Sequence, residues 1–167
     1  MEPLPTATYV DLWSLLEEVP DPEVPVLSVV DLGVVRAAHA DGLVAHVTIT
    51  PTYSGCPAMY AIEAGIKERL IAAGFKQVIV NTVLSPAWTT DWMSAEGRRK
   101  LEEYGIAPPV EPLADKNALF GKAAIVKCPQ CKSTDTRMVS LFGSTACKAM
   151  YQCNQCLEPF DYFKCLR

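Results

Sequence analysis

Cysteines are the residues of this 167-residue chain whose type and spacing most directly suggest chemistry, and six of the seven lie at or after Cys128. Four of these six form two C-x2-C pairs, CPQC at 128–131 and CNQC at 153–156. Each pair can present two thiolates from one tight turn, and two such turns complete a tetrahedral ligand set. The spacing therefore predicts a metal site with the ligands Cys128, Cys131, Cys153 and Cys156.

Zinc is the metal that this pattern favours, because a closed four-cysteine site of structural type needs no redox partner, although a rubredoxin-like iron site stays open. The tail has few apolar residues, so the metal would supply most of its stability. Four cysteines complete a tetrahedral site, so Cys147 and Cys165 are not needed for it. We expect Cys147 to be a half-buried strand residue, with Lys148 beside it able to lower its pKa, and Cys165 to be an exposed thiol or a packing residue.

Cys56 stands apart from the other cysteines, in the stretch TPTYSGCPAM at 50–59. If Pro57 occupies the first turn of a helix, Cys56 is the N-cap or its neighbour, where backbone N–H groups stabilise a thiolate. A cysteine at a strand–helix junction is as often a small buried hydrophobic residue. The residues alone leave both interpretations open.

Acidic residues are the other candidates for chemistry. Asp21 and Glu23 flank a proline in a loop, and Asp31 follows in VVDLGVV, so a site for a hard cation is conceivable. Carboxylates in loops more often face water or cap turns. His39 and His46, the two histidines, are expected to be surface groups. No catalytic triad, phosphate-binding glycine loop or carboxylate pair is evident, so the sequence does not indicate a stand-alone enzyme.

The elements that would position these residues indicate an α+β fold. TYVDLWSLLEEV predicts a helix with Val10, Trp13 and Leu16 on one face, which Leu12 could join, and with Thr8 as a cap. The proline-rich stretch PDPEVPVL predicts a loop. SVVDLGVVRAAHA and GLVAHVTITP predict two strands joined by a turn at Asp41–Gly42, the second strand with alternate residues buried.

Helical spacing follows Pro57, in a stripe that ends at Gly74 and comprises Met59, Ile62, Ile66, Leu70 and Ile71. FKQVIVNTVL predicts a third strand, and a further helix should run from a cap at Ser94 to Gly105. Two short strands with a turn near Gly143 are expected between the cysteine pairs. The predicted organisation is an N-terminal domain at 1–107, a proline-rich linker at 108–122 and a four-cysteine domain at 123–167.

Bulk composition narrows the class of protein. A formal net charge of −4 and a pI near 5.2 argue against nucleic-acid binding, which needs a basic face. No apolar run approaches the roughly 20 residues of a membrane span. The N-terminus MEPLPTATYV lacks the pattern of a signal peptide, which favours the cytoplasm, where thiols stay reduced and cysteines serve metal or redox chemistry.

DPEVPVLSVVDLGVV, VTITPTYSGCPAM and the following helix resemble the iron–sulfur-cluster assembly family that includes SufT, over roughly residues 8–105. Together with CPQC, STDTRMVSLFGSTACKAMYQCNQC and FDYFKC, they make the whole chain similar to the PaaD family of bacterial phenylacetyl-CoA epoxidase systems. The resemblance implies an accessory protein of aerobic phenylacetate catabolism that matures metal centres and is not itself the oxygenase.

Site residues follow from the same resemblance. It implies that Cys56 is a reactive thiol that binds iron or an iron–sulfur cluster transiently, with Asp21, Glu23, Asp31 and Thr50 in the surrounding pocket. It also implies partners, namely the reductase and oxygenase components, and leaves a homodimer open. The alternatives are a non-catalytic subunit that holds the oxygenase together, and a thiol–disulfide enzyme, which lacks a second cysteine near Cys56 in the sequence.

Overall fold

The computed structural model describes residues 11–110 and 125–164. Two helices, three strands and a connecting loop precede a further helix, and four short strands follow. In chain order the elements are α1 (Leu12–Glu17), β1 (Val35–Asp41), β2 (Val44–Ile49), α2 (Ala58–Ala72), β3 (Gln77–Thr82), α3 (Ala95–Tyr104), β4 (Ile106–Ala107), β5 (Thr136–Ser140), β6 (Lys148–Cys153) and β7 (Pro159–Phe163). A single 3-10 turn, Thr90–Trp92, precedes α3. The α+β class is confirmed.

The first helix begins later than the sequence suggests. Asp11 caps α1 by accepting a hydrogen bond from the backbone N–H of Trp13, at 3.1 Å. The predicted cap Thr8 and the predicted face residue Val10 lie outside the described residues. Trp13 is 39% exposed, whereas Leu12 and Leu16 are buried. The buried face of this short helix is therefore set by Leu12 and Leu16, and Trp13 does not belong to it.

The N-terminal sheet has the order β1-β2-β3, with β1 antiparallel and β3 parallel to β2. Alternate residues of β2 are buried, as predicted, with Ala45, Val47 and Ile49 facing the core. Helix α2 makes the crossover from β2 to β3, the usual way to join two parallel strands. The end of β2 and the start of α2 therefore meet at one edge of the sheet, where Cys56 lies.

Helix α2 confirms most of the predicted stripe. Ile62, Ile66 and Leu70 are buried and Met59 packs against the same core, but Ile71 is 48% exposed at the edge of the stripe. Gly74 follows the C-cap with φ +105°, the left-handed conformation expected where a helix ends.

The predicted first strand is wrong over its N-terminal half, because residues 28–33 form turns and β1 begins at Val35. Two side-chain hydrogen bonds close this turn. The Ser28 hydroxyl accepts from the Asp31 N–H at 2.9 Å, and the Asp31 carboxylate accepts from the Ser28 N–H at 3.2 Å. Gly33 has φ +73°, and a Cβ there would lie 2.3 Å from the carbonyl oxygen of Trp92. Asp31 is therefore a turn residue.

Helix α3 begins and ends as predicted. The Ser94 hydroxyl accepts from the Gly97 N–H at 2.8 Å, and Gly105 ends the helix with φ +91°. β4 follows directly and pairs in parallel with β7, so the chain leaves α3 as an edge strand of the second sheet. The sequence analysis did not predict that β4, which lies beside the expected linker, pairs with the last strand of the chain, β7.

The second sheet has the order β4-β7-β6-β5, and we call residues 125–164 the ribbon. The predicted β5–β6 hairpin with a turn at Gly143 is confirmed, whereas β7 was not predicted. The ribbon and β4 share a small core of their own: Ala107, Val126, Cys128, Ala149, Tyr151, Cys153 and Phe160.

The ribbon packs directly against the N-terminal part, residues 11–105, which we call the head. Phe163 and Cys147 are buried in the same core as the head residues, and the Phe163 ring meets that of Trp88 edge-on at 6.2 Å. A salt bridge of 2.6 Å also joins Lys132 to Glu102. The division into 1–107, 108–122 and 123–167 stays a prediction, since residues 111–124 lie outside the described part. Among the described helices, none has the length and apolar character needed to cross a bilayer.

Candidate functional site

The four predicted metal ligands come together at one end of the ribbon. The ligand atoms of Cys128, Cys131, Cys153 and Cys156 all lie within 4.8 Å of one another. The sulfur atoms of Cys128 and Cys156 are 3.7 Å apart, and those of Cys131 and Cys153 are 3.5 Å apart. Two sulfurs bound to one tetrahedral zinc ion at about 2.3 Å each would be about 3.8 Å apart. The donor set and its dimensions therefore fit a single zinc ion.

Backbone geometry builds the two halves of this cluster in the same way. The residue after each second cysteine, Lys132 or Leu157, has a left-handed backbone, with φ +64° and φ +66°. The N–H of the first cysteine of each pair bonds to the carbonyl oxygen five residues later, Cys128 to Ser133 at 2.9 Å and Cys153 to Glu158 at 3.0 Å. Each pair thus forms a knuckle in which one backbone hydrogen bond and one left-handed residue orient the two sulfurs.

Protonation of the cluster also suits a cation. Backbone N–H groups of Cys156 and Gln155 lower the pKa of Cys153 to about 7. The N–H of Glu158 lowers the pKa of Cys156, but burial and the three neighbouring thiols outweigh it and raise that pKa to about 12. The four thiols cannot all ionise side by side without a positive charge between them. A divalent cation removes that repulsion, which is how the site would hold zinc.

Cys56 lies outside this cluster, on the turn between β2 and α2. Gly55 has φ +84°, and the Cys56 N–H bonds to the carbonyl oxygen of Tyr53 at 3.3 Å, which closes the turn. Pro57 is the N-cap of α2, so Cys56 is the neighbour of the cap, one of the two predicted positions. Its side chain is 8% exposed and lines a cavity between the head and the ribbon.

Two carboxylates face the same cavity as Cys56. Asp21 and Glu23 both line it. The Asp21 Oδ1 atom accepts hydrogen bonds from the N–H groups of Glu23, at 2.9 Å, and Val24, at 2.7 Å. Asp21 therefore fixes the backbone of the DPE segment and so positions Glu23. Burial raises the pKa of Asp21 despite these bonds.

Cys147 is a cavity residue that the sequence interpretation missed. It lies in the turn before β6, where it is 6% exposed, and so is neither half-buried nor part of a strand. Its sulfur lines the same cavity as Cys56, 3.6 Å from Glu23 Oε2 and 3.0 Å from the Thr145 hydroxyl. In the sequence, Cys147 stands out only because it is not needed for a tetrahedral four-cysteine site. The residues that share its cavity, such as Glu23, lie in the other half of the chain.

The cavity is small and mainly apolar apart from these groups. Its volume is about 10 Å³, close to the roughly 10–15 Å³ that a single water needs. Apolar side chains from both parts of the molecule form the remaining walls: Val24, Leu32, Val34, Met59, Ile62 and Phe163. The space thus holds one atom-sized ligand as it stands.

Both thiols at the cavity are held in the neutral form. Burial raises the pKa of Cys56; the N–H of Ala58 opposes this, and the charge of Glu23 adds to it. Burial likewise raises the pKa of Cys147 to about 11, with Lys148 lowering it only in part. The expected stabilisation of a Cys56 thiolate by the helix start is therefore outweighed by desolvation, because α2 begins in the core.

Tyr53 lies on the loop before Cys56 and was not among the predicted pocket residues. Burial raises the pKa of its phenol to about 12, and the charges of Cys56, Glu23 and Cys147 add to the shift. The Tyr53 phenol is therefore held in its neutral form beside these groups.

Asp31 does not line the cavity. Its carboxylate accepts hydrogen bonds from Ser94 Oγ at 2.9 Å and Lys100 Nζ at 2.6 Å, both on α3 or its cap. Although burial opposes the shift, the bonds from Lys100, Ser28 and Ser94 lower its pKa. In DLG, Asp31 thus ties the turn to α3, while the next residue, Leu32, lines the cavity.

Thr50 lies just after β2 and is likewise not among the residues that line the cavity. It is 1% exposed, and its hydroxyl has no hydrogen-bond partner among the described residues. Its backbone N–H bonds to the carbonyl oxygen of Val34, which does line the cavity. Asp21, Glu23 and Cys56 thus line one cavity, whereas Asp31 and Thr50 contact or follow residues of its walls and do not line it.

Two family models match the chain in separate segments. Residues 10–80 match a model described as an iron-sulfur cluster assembly protein, and residues 112–164 match the PaaD zinc beta ribbon domain. The four clustered cysteines are all in the second segment, and Cys56 is in the first. The assignment of the cluster as a zinc site thus agrees with the family of the ribbon.

Relatives of known sequence extend these matches. The chain is 48% identical over 156 residues to an Escherichia coli (strain K12) protein named as one of the subunits of a "Putative 1,2-phenylacetyl-CoA epoxidase", covering 93% of this chain and 92% of that one. It is 38% identical over 87 residues to "Fe-S protein maturation auxiliary factor YitW" of Bacillus subtilis (strain 168), covering 50% of this chain and 83% of that one.

A crystal structure of a "Domain of Unknown Function DUF59" from Bacillus anthracis superposes with a TM-score of 0.50 at 33% identity, covering 54% of this chain and 87% of that one. The head therefore has the DUF59-type fold, and the ribbon is a zinc ribbon added to it. Because the match to the Escherichia coli protein spans nearly the full length of both chains, this chain belongs to the PaaD family of phenylacetyl-CoA epoxidase subunits.

Proposed function

We propose that the protein is an accessory factor of a phenylacetyl-CoA epoxidase system that supplies iron, or an iron–sulfur cluster, to the reductase component through Cys56. It acts in phenylacetate catabolism without performing the epoxidation. The cysteines of the described residues are free thiols, which fits the reducing cytoplasm.

One observation carries this proposal: Cys56 faces a small cavity together with Glu23 and lies apart from the four-cysteine zinc set. The charge of Glu23 raises the pKa of Cys56, so the thiol stays protonated until a cation offsets that charge. Sulfur ligands suit iron, and a site with few ligands holds it loosely enough for transfer. Similarity to an iron–sulfur maturation factor over the head supports the same role.

The cavity lacks what an enzyme of the oxygenase type would need. Its volume of about 10 Å³ is far below the roughly 300 Å³ or more of ordinary small-molecule sites. A coenzyme A ester could not enter it. The space beside Cys56 is therefore not itself a binding site for a coenzyme A ester.

The test is the cluster content of the reductase produced together with this protein, with its Cys56→Ser variant, or without it. We expect the Cys56→Ser variant to keep its zinc and its fold and to yield a reductase with less than half of the cluster that the unaltered protein supports. Ser54→Ala, on the exposed part of the same loop, is the matched control and should support full loading.

Full cluster loading with Cys56→Ser would overturn the proposal. The alternative, a subunit that only holds the oxygenase together, predicts that outcome and also predicts that Cys56→Ser co-purifies with the oxygenase in an unchanged ratio.

A further inference from the structure

We infer that the β5–β6 hairpin of the ribbon is the surface by which the protein docks its client, and that the client presents apolar side chains bordered by carboxylates. The surface consists of five side chains that we call the hairpin strip: Met138, Val139, Leu141, Phe142 and Met150. The inference rests on the proposed function, because it takes the reductase component as the client, but it concerns binding and not the chemistry of Cys56.

Exposed apolar side chains are concentrated in the hairpin strip. Its members range from 38% exposed at Met150 to 58% exposed at Phe142. Other large apolar side chains that are exposed in the described residues, such as Leu43, Ile71 and Tyr104, occupy separate places in the head. Isolated side chains of this kind are ordinary, whereas a contiguous group marks an interaction surface. The hairpin strip is such a group.

The hairpin strip lies at the edge of the second sheet. β5 is the outermost strand in the order β4-β7-β6-β5, and all its residues from Arg137 to Ser140 are exposed. Met150 lies opposite Ser140 on β6 and extends the surface. The register shifts between Met138 and Ser140, and such a bulge interrupts the regular N–H and C=O pattern that an added strand needs. A partner would therefore bind the side chains and not extend the sheet.

Charge next to the strip is positive. Residues 136–150 contain no Asp or Glu, and Arg137 directly precedes the strip. The Lys164 Nζ atom lies 4.3 Å from the centre of the Phe142 ring and donates a hydrogen bond to the carbonyl oxygen of Leu141. Aromatic residues, Met and Arg are enriched at protein–protein interfaces. The composition thus fits an apolar interface centre with a cationic border.

These two cations keep their charge available to a partner. Arg137 bonds to the side chain of Gln152, which is neutral. Asp161 of β7 contacts this hairpin through the Ser144 hydroxyl at 3.2 Å, and its carboxylate lies 3.9 Å from the buried ammonium group of Lys148. Because Lys148 offsets Asp161 within the ribbon, carboxylates on the partner are the complement of Arg137 and Lys164.

The position of the strip in the chain favours the client over a second copy of this protein. The strip lies in the segment 112–164, which matches the PaaD zinc beta ribbon domain, and outside residues 10–80, which match the iron-sulfur cluster assembly model. The head thus carries Cys56, and the ribbon carries the docking surface. A partner that belongs to the epoxidase system is the one that a surface on this ribbon would recognise.

The experiment measures binding of the purified apo-reductase to the full-length, zinc-loaded protein by isothermal titration calorimetry. Leu141→Ala combined with Phe142→Ala should weaken binding by at least about tenfold, because apolar side chains at the centre of an interface carry most of the affinity. Leu43→Ala combined with Tyr104→Ala is the matched control, since these side chains are 50% and 59% exposed in the head, and it should leave binding unchanged. Retained zinc and an unchanged melting temperature identify the folded variants.

A second pair of variants tests the charge of the partner. Arg137→Gln should weaken binding by about twofold to fivefold and make the affinity less sensitive to salt. Lys67→Gln, at an exposed cation on α2 of the head, should do neither. An affinity that does not depend on Arg137 or on salt would contradict a partner with carboxylates at its border.

Cluster loading separates this inference from the proposed function. Cys56→Ser should bind the apo-reductase with unchanged affinity, and excess protein should restore loading by the Leu141→Ala and Phe142→Ala double variant but not by Cys56→Ser. Full loading by Cys56→Ser would remove the proposed function, whatever the affinities were.

Three results would overturn the inference itself. The first is unchanged affinity of the folded double variant, and the second is no binding of the apo-reductase by the unaltered protein. The third is a concentration-dependent dimer that the double substitution abolishes, because it would assign the strip to a second copy of the chain.

Discussion

The molecule has two sets of cysteines that differ in how their sulfurs are brought together. In the ribbon, two knuckles with left-handed residues point four sulfurs at one position, where the pKa of Cys153 is lowered to about 7 and that of Cys156 is raised to about 12. At the cavity between head and ribbon, burial brings the pKa of Cys147 up to about 11 and also raises that of Cys56.

This difference in the arrangement of the sulfurs is the one we expect between a site that holds its metal permanently and a site that exchanges its metal. A cation in the knuckles is held by four preorganised thiolates from one small sheet, so removing it would unfold that sheet. A cation bound at Cys56 would have fewer preorganised ligands than the knuckles provide. Fewer ligands weaken binding, and weaker binding is what a site for transfer needs.

The largest effect that this comparison predicts is the loss of the ribbon when its zinc is removed. Structural zinc contributes about 10–16 kcal/mol of apparent binding free energy in small domains. Cys153→Ser should therefore abolish zinc binding and remove amide hydrogen-exchange protection from β5, β6 and β7, while β1, β2 and β3 stay protected.

Cys56→Ser is the matched control for that experiment, because it removes a buried thiol without touching the knuckles. It should keep one zinc per chain and the protection of the ribbon. If the ribbon stayed protected in zinc-free Cys153→Ser, its own small core would be sufficient to keep it folded. The four-cysteine set would then not be a structural site, and the distinction between the two sets of cysteines would fail.

Sequence patterns predicted the permanent site well, because its chemistry is local. Each knuckle depends on two cysteines separated by two residues, and the hairpin between the knuckles depends on one turn. The same holds for the Ser94 cap and the Gly74 and Gly105 helix ends, each of which is set by the backbone within one helical turn.

The cavity could be predicted only in part, because its composition depends on which distant segments pack together. The family resemblance identified Cys56, Asp21 and Glu23. Cys147 and Phe163 line the cavity only because the ribbon packs against the head, and no periodicity in the sequence predicts that packing. The same resemblance placed Asp31 in the pocket, whereas its carboxylate accepts hydrogen bonds from Ser94 and Lys100.

The second prediction tests the interface that makes the cavity. Phe163 is 1% exposed and meets Trp88 edge-on, so Phe163→Ala should lower the free energy of unfolding by about 3–5 kcal/mol in urea denaturation. It should also speed alkylation of Cys56 by iodoacetamide, because it opens one wall, while the zinc remains bound.

Phe142→Ala makes the same change at a side chain that is 58% exposed in the ribbon, and should cost less than about 1 kcal/mol. Equal effects of the two substitutions would mean that the ribbon does not rely on Phe163 to hold the head. Faster alkylation of Cys56 in Phe142→Ala would contradict the assignment of Phe163 as a wall of the cavity.

The smallest effect concerns Asp31, whose turn carries Leu32 to the head side of the cavity. Against the opposing effect of burial, Lys100, Ser28 and Ser94 hold the pKa of Asp31 below its ordinary value of 3.8. The stabilisation is therefore fully present above about pH 5 and is lost as the pH falls through the lowered pKa. Asp31→Asn should cost about 1–3 kcal/mol at pH 7, and the difference from the unaltered protein should shrink below about pH 4 in urea denaturation.

Asp41→Asn is the control for this last prediction, because Asp41 is exposed beside Gly42 and asparagine suits the same turn. It should change the stability by less than about 0.5 kcal/mol at any pH. If the cost at pH 7 were equal for both substitutions, the bonds from Lys100 and Ser94 would contribute no net stability, and the head side of the cavity would be held by apolar packing alone.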